Sequence, residues 1–439
     1  MRAASAGQHL SPRFPVAYWR LANGLTVVVQ TDTRWPLVAA TMCYATGSRS
    51  DPAARSGLAH FCEHLAFDGP TRASNESFPV RIERAGGAAR ALTTSDRICF
   101  STLAPSRELP AVLDVEAERM AHPLDAQDEE TIEIQRRVLL QELRERSQAQ
   151  PRVVALEQLH RLLFPDGHAY HCPPAGETDD IPSITAADVK AFAATHFSPR
   201  NAILVLVGDV SADTADELGR RLFEGLPAGV ERHHRAACVQ QGPPRESVQR
   251  VSAAISAAHT YIAWTIPGFG QPEWYVASLL VRGLAVGRSN PLTRMLAERT
   301  GATLDVHSHL VPMRDASTLV LAANATSGVE SGRLEEALAD VCDRLLDAGL
   351  STAAFERAGK KALTDYYFNI QNLERRADLC AALSCYFAAP DRLSGEPQRY
   401  VDPDPADVAS FAAGLRRQPA RAMLSLIPRE GRGTRAWSA

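Results

Sequence analysis

Two histidines, His60 and His64, lie four positions apart in the sequence, and a glutamate, Glu63, stands between them. On an α-helix this spacing places both imidazoles on one face, one turn apart, so both can reach one metal ion. Glu63 would lean towards the same face, where a general base stands beside a metal-bound water. The order His-x-x-Glu-His is the inverse of the better-known zinc-binding order. The alternative is a helix with two partly buried, hydrogen-bonded histidines.

The residues around this motif indicate the elements that would position it. Apolar side chains can hold the helix in a core, namely Leu58, Phe61, Leu65 and Phe67. Ser56 is available as the N-terminal cap. Two apolar segments before the motif predict strands, and two segments after it predict a pair of strands around a turn; these segments are 25–30, 36–45, 89–94 and 97–103.

A third acidic candidate, Glu142, belongs to a long helix predicted over 125–149. It falls on the apolar stripe that contains Val138 and Leu139, and Gln135 lies on the same stripe seven residues earlier. A carboxylate buried without a partner costs several kcal/mol unless a cation meets it. A bound Zn²⁺ would be such a cation. The alternative is that Glu142 sits at the edge of the stripe and pairs with Arg146.

Composition limits the class of protein. The 439 residues include 45% hydrophobic and 22% charged residues, with a net charge of −4, which is ordinary for a globular protein. The charge gives no reason to expect nucleic acid or a membrane as partner. The eight cysteines form no Cys-x-x-Cys pair, so reduced thiols are the default. No signal peptide or membrane helix is evident, and we expect a cytoplasmic location.

The length predicts at least two domains. We place an N-terminal domain at 1–226, a linker at 227–249 and a C-terminal domain at 250–439. The linker is polar, rich in Gly and Pro, and has no periodicity. The second half repeats the element order of the first but lacks the His-x-x-Glu-His motif, which suggests a divergent duplication.

The chain resembles the M16 (pitrilysin, insulinase and mitochondrial-processing-peptidase-like) zinc peptidases. The matching segments occur in family order over nearly all of the first half, at 47–49, 57–65, 93–96, 138–142, 164–170 and 198–209. The second half matches more weakly. The resemblance implies an α+β fold of two homologous half-domains of the LuxS/MPP-like type. Each half-domain is then expected to be a mixed, mainly antiparallel sheet with helices packed on it.

The resemblance also implies roles for individual residues. His60, His64 and Glu142 correspond to the zinc ligands, since the 78 positions from His64 to Glu142 are similar to the family spacing. Glu63 corresponds to the base that activates the zinc-bound water. The strand that binds the substrate backbone corresponds to Arg90, Ala91, Leu92 and Thr93.

Three departures from the family pattern affect the expected function. Gln135 stands where a second glutamate is usual. A glutamine side chain can still form hydrogen bonds near the ligands, but it carries no charge. Arg90 stands where an Asn is usual, which favours an acidic substrate as a hypothesis. The family's second-half Arg and Tyr, which stabilise the developing oxyanion, correspond here to Ala297 and Leu304.

The combined prediction is a zinc metalloendopeptidase subunit that hydrolyses peptides, presequences or leader segments. The missing Arg and Tyr are typical of the zinc-bearing subunit of a heterodimer, whose M16-like partner would supply them. The rival hypothesis is a non-catalytic scaffold or binding subunit. The intact His60, Glu63, His64 and Glu142 argue for catalysis, whereas Gln135, Ala297 and Leu304 argue for the scaffold.

Overall fold

The first half of the chain is built around a six-stranded sheet. The computed structural model describes residues 14–72, 76–125, 127–230, 247–287, 290–301, 304–325, 329–418 and 421–429. Within these residues the first-half strands are β1 (Ala17–Arg20), β2 (Thr26–Thr31), β3 (Leu37–Tyr44), β4 (Ala88–Thr93), β5 (Ile98–Pro105) and β6 (Ala202–Gly208). Their order in the sheet is β1-β2-β6-β3-β5-β4. All neighbours are antiparallel except β2 and β6, which are parallel.

Burial along the strands follows from their places in this sheet. β6 reads Ala-Ile-Leu-Val-Leu-Val-Gly and is buried at every position, because both faces of a central strand are covered. β4 lies at the edge, and its residues alternate between exposed and partly buried. One side of β4 therefore has no strand partner among the described residues, which leaves its backbone groups available for pairing.

The second half contains a five-stranded sheet with the same plan. Its strands are β7 (Ser247–Ala253), β8 (His259–Pro267), β9 (Leu304–Val311), β10 (Ala316–Ala325) and β11 (Arg421–Pro428). The order β7-β11-β8-β10-β9 again has one parallel pair, β7 with β11, followed by antiparallel neighbours. The expected α+β fold of two similar half-domains is thereby confirmed.

Helices pack on both sheets. Those of the first half are α1 (Leu58–Asp68), α2 (Phe78–Arg84), α3 (Leu109–Ala121), α4 (Glu129–Ala149), α5 (Pro151–Leu163), α6 (Ala186–His196) and α7 (Ala212–Phe223). Those of the second half are α8 (Pro272–Ala285), α9 (Pro291–Thr300), α10 (Ser331–Ala348), α11 (Thr352–Ile370), α12 (Leu373–Phe387), α13 (Glu396–Arg399) and α14 (Pro405–Arg417). No helix within the described ranges has both the length and the apolar character that crossing a bilayer requires.

The two halves exchange one helix each. α12 of the second half packs on β3 and β6 of the first sheet, and α5 of the first half packs on β11 and β8 of the second. The predicted linker, 227–249, falls largely on residues 231–246, which lie outside the described residues, so its bounds stay a prediction. Neither sheet buries both of its faces without a helix from the other half.

Ion pairs fix α12 to the first sheet. Arg376 is completely buried, and its Nη1 lies 2.8 Å from Oδ2 of Asp32 and 2.5 Å from Oε1 of Gln30. Its Nε donates to the carbonyl of Ile370 at 2.7 Å. The guanidinium thus replaces the water that these buried acceptors would otherwise need.

We expect the Arg376→Ala variant to lose about 3 kcal/mol of the free energy of unfolding, because it removes one partner of a buried ion pair. Arg34→Ala is the matched control: its guanidinium pairs with the same Asp32 carboxylate at 2.6 Å, but 63% of its side chain is exposed. The control should lose less than about 1 kcal/mol. Urea unfolding of the two variants measures the difference, and equal losses would contradict a structural role for the buried arginine.

Candidate metal centre

The start of α1 is fixed by a buried carboxylate rather than by the predicted Ser56 cap. The N-cap residue is Gly57, which adopts a left-handed conformation with φ of 95°. Oδ2 and Oδ1 of Asp51 accept hydrogen bonds from the backbone N–H groups of Gly57 and Ala59 at 2.7 and 2.8 Å. The prediction of Ser56 was wrong because Asp51, six residues before Gly57, satisfies the free N–H groups from outside the helix. Burial raises the pKa of Asp51 to about 7.

Close packing also requires glycine at the cap. A Cβ atom on Gly57 would lie 2.9 Å from the Cα of Gly176, which is backbone and cannot move aside cheaply. The left-handed backbone at this position favours glycine as well. The segment around Gly176 therefore lies against the first turn of α1 and brings the neighbouring Ala175 close to His60.

Three donor atoms converge between α1 and α4. Nε2 of His64 lies 3.3 Å from Nε2 of His60 and 3.1 Å from Oε2 of Glu142. One ligand atom from each of these residues falls within 4.8 Å of the others, and no other such group of three is found in the described part of the chain. The structure thus brings together the three residues that the sequence singled out, two from one helix and one from another.

Hydrogen bonding and burial set the state of the imidazoles. Nδ1 of His60 lies 3.3 Å from the carbonyl oxygen of Ala175, so the Nδ1–H tautomer donates there and leaves the Nε2 lone pair facing the site. Burial, together with the nearby His64, lowers the pKa of His60 to about 4. Burial opposes protonation of His64 too, but the hydrogen bond to Glu142 and the charge of Glu63 raise its pKa. A neutral imidazole is the form that binds a metal.

Glu142 reaches the histidines from α4. Its hydrogen bond with His64 lowers the pKa of its carboxyl group to about 2, so it is ionised at neutral pH. The other carboxylate oxygen lies 3.6 Å from Nη2 of Arg146, so the alternative partner considered from sequence is also in contact, at a longer distance. The expected apolar stripe was only partly right: Leu139 is buried, but Val138 is 45% exposed. Glu142 therefore lies at the rim of the core, facing the site.

Glu63 is buried beside this group and connects it to the edge strand. The side chain is 7% exposed, and burial raises the pKa of its carboxyl group. The hydroxyl of Thr93, at the end of β4, donates to Oε2 of Glu63 at 2.7 Å. This bond was not predicted, and it places the end of the edge strand next to the candidate base. A carboxylate with a raised pKa is a stronger proton acceptor than a fully solvated one.

Two further polar side chains, Gln135 and Asp68, lie near the proposed ligands on the same two helices. Gln135 is buried on α4 two turns before Glu142, and its Oε1 has no hydrogen-bond partner among the described residues. Asp68 follows His64 by one turn, and its Oδ2 lies 3.8 Å from Nδ1 of His64. The i,i+4 spacing of His64 and Asp68 was a signal in the sequence that went unused.

The remaining predicted positions lie on the edge strand and in the second half. Arg90 and Leu92 are exposed on one face of β4, whereas Ala91 is partly buried against the first-half core. Ala297 lies in α9 and Leu304 begins β9, and residues 302–303 between them are outside the described residues. Whether Ala297 and Leu304 correspond to the family's Arg and Tyr stays a prediction.

Comparisons with known proteins find the same peptidase family in both halves of the chain. The family model described as "Insulinase (Peptidase family M16)" matches residues 26–170, and the model described as "Peptidase M16 inactive domain" matches residues 183–361. A Helicobacter pylori protein named zinc protease PqqE is 25% identical over 403 residues, which are 89% of this chain and 88% of that protein.

A second relative and a solved structure extend this comparison. The mitochondrial-processing peptidase subunit beta of Neurospora crassa is 28% identical over 215 residues, which are 47% of this chain and 43% of the relative. The crystal structure of a protease from Helicobacter pylori superimposes with a TM-score of 0.85 at 23% identity and covers 94% of this chain and 100% of that one. This structural similarity supports the assignment of the fold and no more.

Proposed function

Because the chain belongs to peptidase family M16, we propose that it is a zinc-dependent metalloendopeptidase subunit that hydrolyses peptides, presequences or leader segments. The observation that carries this proposal is the convergence of His60, His64 and Glu142, with donor atoms within 4.8 Å of one another. Glu63 lies buried beside them. The names of the two relatives, a zinc protease and a processing-peptidase subunit, support the same class of reaction.

The chemistry of the donor set fits zinc, and so do two of its three donor separations. Ligand atoms about 2.0–2.1 Å from a zinc ion at tetrahedral angles lie about 3.3–3.4 Å apart. The distances from Nε2 of His64 to Nε2 of His60 and to Oε2 of Glu142 are 3.3 and 3.1 Å. Two imidazoles and a carboxylate are also a typical catalytic zinc set, which leaves the fourth position open.

The chain's own residues supply the other parts of the mechanism. Bound zinc would polarise a peptide carbonyl and lower the pKa of a water molecule. Oε1 of Glu63 then accepts a proton during attack, while the hydroxyl of Thr93 holds Oε2 in place. Glu63 afterwards passes the proton to the leaving amine. The free side of β4 pairs with the peptide backbone, so the scissile bond lies near Thr93.

We also propose that a partner subunit completes the site. No arginine–tyrosine pair stands at the proposed positions, which are Ala297 and Leu304. The processing-peptidase relative is itself named as a subunit. The partner would be an M16-like chain that contributes an oxyanion-stabilising pair across the cleft.

A native mass spectrum of the purified chain tests metal content and assembly together. We expect one zinc ion per chain, and we expect a chain purified alone to hydrolyse peptides slowly until an M16-like partner is added. Chelation should remove the zinc and the hydrolysis, and added zinc should restore both. A chain that takes up no zinc when zinc is supplied would contradict the peptidase proposal. A zinc-loaded chain that is fully active alone would contradict only the need for a partner.

A non-catalytic scaffold is the second candidate, and one observation favours it. Gln135 replaces a family glutamate, and its buried Oε1 is without a partner among the described residues. Loss of that charge leaves the two histidines and Glu142 in place but changes the field around them. Under the scaffold hypothesis the biological role survives when Glu63 is made unable to accept a proton.

A further inference from the structure

A cavity of about 440 Å³ lies on the exposed side of the edge strand β4, away from α1. Arg90 and Leu92 form one wall together with Ser101 and Cys99 of β5, which are their direct partners in the sheet. The opposite wall comes from the second half, from α8, α11, α12 and Tyr400. Residues of both halves are therefore needed to form the cavity, which lies beside the strand proposed to bind the peptide.

Three guanidinium groups face this cavity, and they come from distant parts of the sequence. Arg90 lies on β4, Arg282 on α8 and Arg375 on α12. Two carboxylates also line the cavity, those of Asp365 and Asp378. The net charge of the cavity depends on whether these two carboxylates already form ion pairs with residues other than the three arginines.

Both carboxylates have other partners. Asp378 accepts hydrogen bonds from Nη1 and Nη2 of the buried Arg97 at 2.6 and 3.2 Å. Asp365 forms an ion pair with Lys361 one helical turn before it. Because Asp378 and Asp365 are matched by Arg97 and Lys361, the three arginines leave a surplus of positive charge even when Glu374 beside Arg90 is counted.

Arg90 and Arg375 are only weakly bound to their neighbours, whereas Arg282 is held through Nη1, which donates to the carbonyl and hydroxyl of Ser278. Nε of Arg282 lies 3.5 Å from Oδ2 of Asp365 and makes no hydrogen bond. Nε of Arg90 lies 3.4 Å from Oε1 of Glu374, and 53% of its side chain is exposed. Arg375 donates to the neutral amide of Asn369. Guanidinium donors therefore remain for an incoming carboxylate, which they recognise better than an amide.

A peptide that pairs with β4 as an added strand would direct one of its side chains into this cavity. When a peptide pairs with β4, every second side chain points to the same face as Arg90 and Leu92, which is the face of the cavity. The hydroxyl of Thr93 marks the reacting end, and Arg90 lies three residues away, or about 10 Å at about 3.3 Å per residue.

We propose that this cavity is a subsite for an acidic side chain of the peptide, about three residues from the scissile bond. The inference rests on the proposed peptidase function and adds the class of substrate to it. It defines the preferred substrates as peptides that carry a glutamate or aspartate at one fixed distance from the cleaved bond.

Internally quenched peptides test the subsite. A single glutamate is moved through the four positions on each side of the scissile bond, and each peptide is compared with its glutamine counterpart on the zinc-loaded protein, with its partner where one is required. We expect about a tenfold higher kcat/KM for glutamate at one position and equal values elsewhere. The Arg90→Gln/Arg375→Gln variant, changed at two exposed residues, should reduce that preference to less than about threefold.

A matched variant controls for the loss of two positive charges. Arg107→Gln/Arg344→Gln removes two exposed arginines away from the cavity, whose side chains are 82% and 61% exposed, and should keep the full preference. Equal cleavage of the glutamate and glutamine peptides at every position would overturn the subsite. So would an unchanged preference in Arg90→Gln/Arg375→Gln.

A binding experiment separates failure of the subsite from failure of the peptidase proposal. If no peptide is cleaved, fluorescence anisotropy measures the same labelled peptides on the zinc-loaded Glu63→Gln protein. About tenfold tighter binding of one glutamate peptide than of its glutamine counterpart would support the subsite while the peptidase proposal fails. Equal affinities would overturn the subsite independently of catalysis.

Discussion

Replacing Glu63 with glutamine is expected to abolish peptide hydrolysis and to leave zinc bound. Glutamine has nearly the same shape and can still accept the hydrogen bond from Thr93, which is 2.7 Å long. It cannot accept a proton from water, and general base catalysis contributes roughly 10²–10⁴-fold to a rate. We expect kcat to fall by about 10³-fold or more, as measured with a quenched peptide, while metal analysis still gives one zinc per chain.

The control for this change is Glu133→Gln, which alters an exposed glutamate on α4 and should retain full activity. The result also decides between the two candidate functions. If cells that carry Glu63→Gln keep the biological role of the protein, the scaffold hypothesis is correct and catalysis is not that role. If the purified variant hydrolyses peptides at the wild-type rate, another group is the base.

Replacing His60 with alanine is expected to remove the zinc. His60 supplies one of three proposed ligand atoms, and its Nδ1 is oriented by the carbonyl of Ala175 at 3.3 Å. Groups that only orient a ligand are worth about 10–100-fold in metal affinity, so loss of the ligand itself should cost more than about 100-fold. Titration with zinc in the presence of a competing chelator measures this loss.

A second histidine variant separates loss of a ligand from general damage. His171 is bonded locally, with Nδ1 2.8 Å from the carbonyl of Phe164, and His171→Gln should bind zinc as the wild type does. Far-UV circular dichroism should show an unchanged total helix content in His60→Ala, because Asp51 still caps α1. Unchanged zinc affinity in His60→Ala would contradict the proposed metal centre.

Local spacing was enough to place His60 and His64 on one face, because a helix fixes the directions of residues four apart. Glu142 was different. It lies 78 positions beyond His64, and only the resemblance to a known family connected it to the histidines. The apolar stripe alone suggested a buried residue, yet Val138 on that stripe is exposed. Periodicity predicts the face of a helix, but it does not tell how far the neighbouring elements cover that face.

Contacts between distant segments escaped the sequence analysis for a physical reason. Asp51 satisfies the first turn of α1 through a loop, and no local pattern distinguishes such a carboxylate from any other aspartate. Arg90, Arg282 and Arg375 meet only because α8 and α12 pack near the edge strand of the other half. Such meetings depend on the packing of whole elements, which composition and periodicity do not encode one residue at a time.

The exchange of α5 and α12 between the halves has a consequence for synthesis on the ribosome. The last strand of the first sheet, β6, ends at Gly208, but α12, which covers that sheet, ends at Phe387. At about 5–20 residues per second, roughly nine to thirty-six seconds separate the two. During this interval the apolar face formed by Ala39, Val205 and Val207 is not yet covered by α12. The first half of the nascent chain therefore exposes apolar surface, of the kind that favours aggregation, until almost the whole polypeptide has emerged.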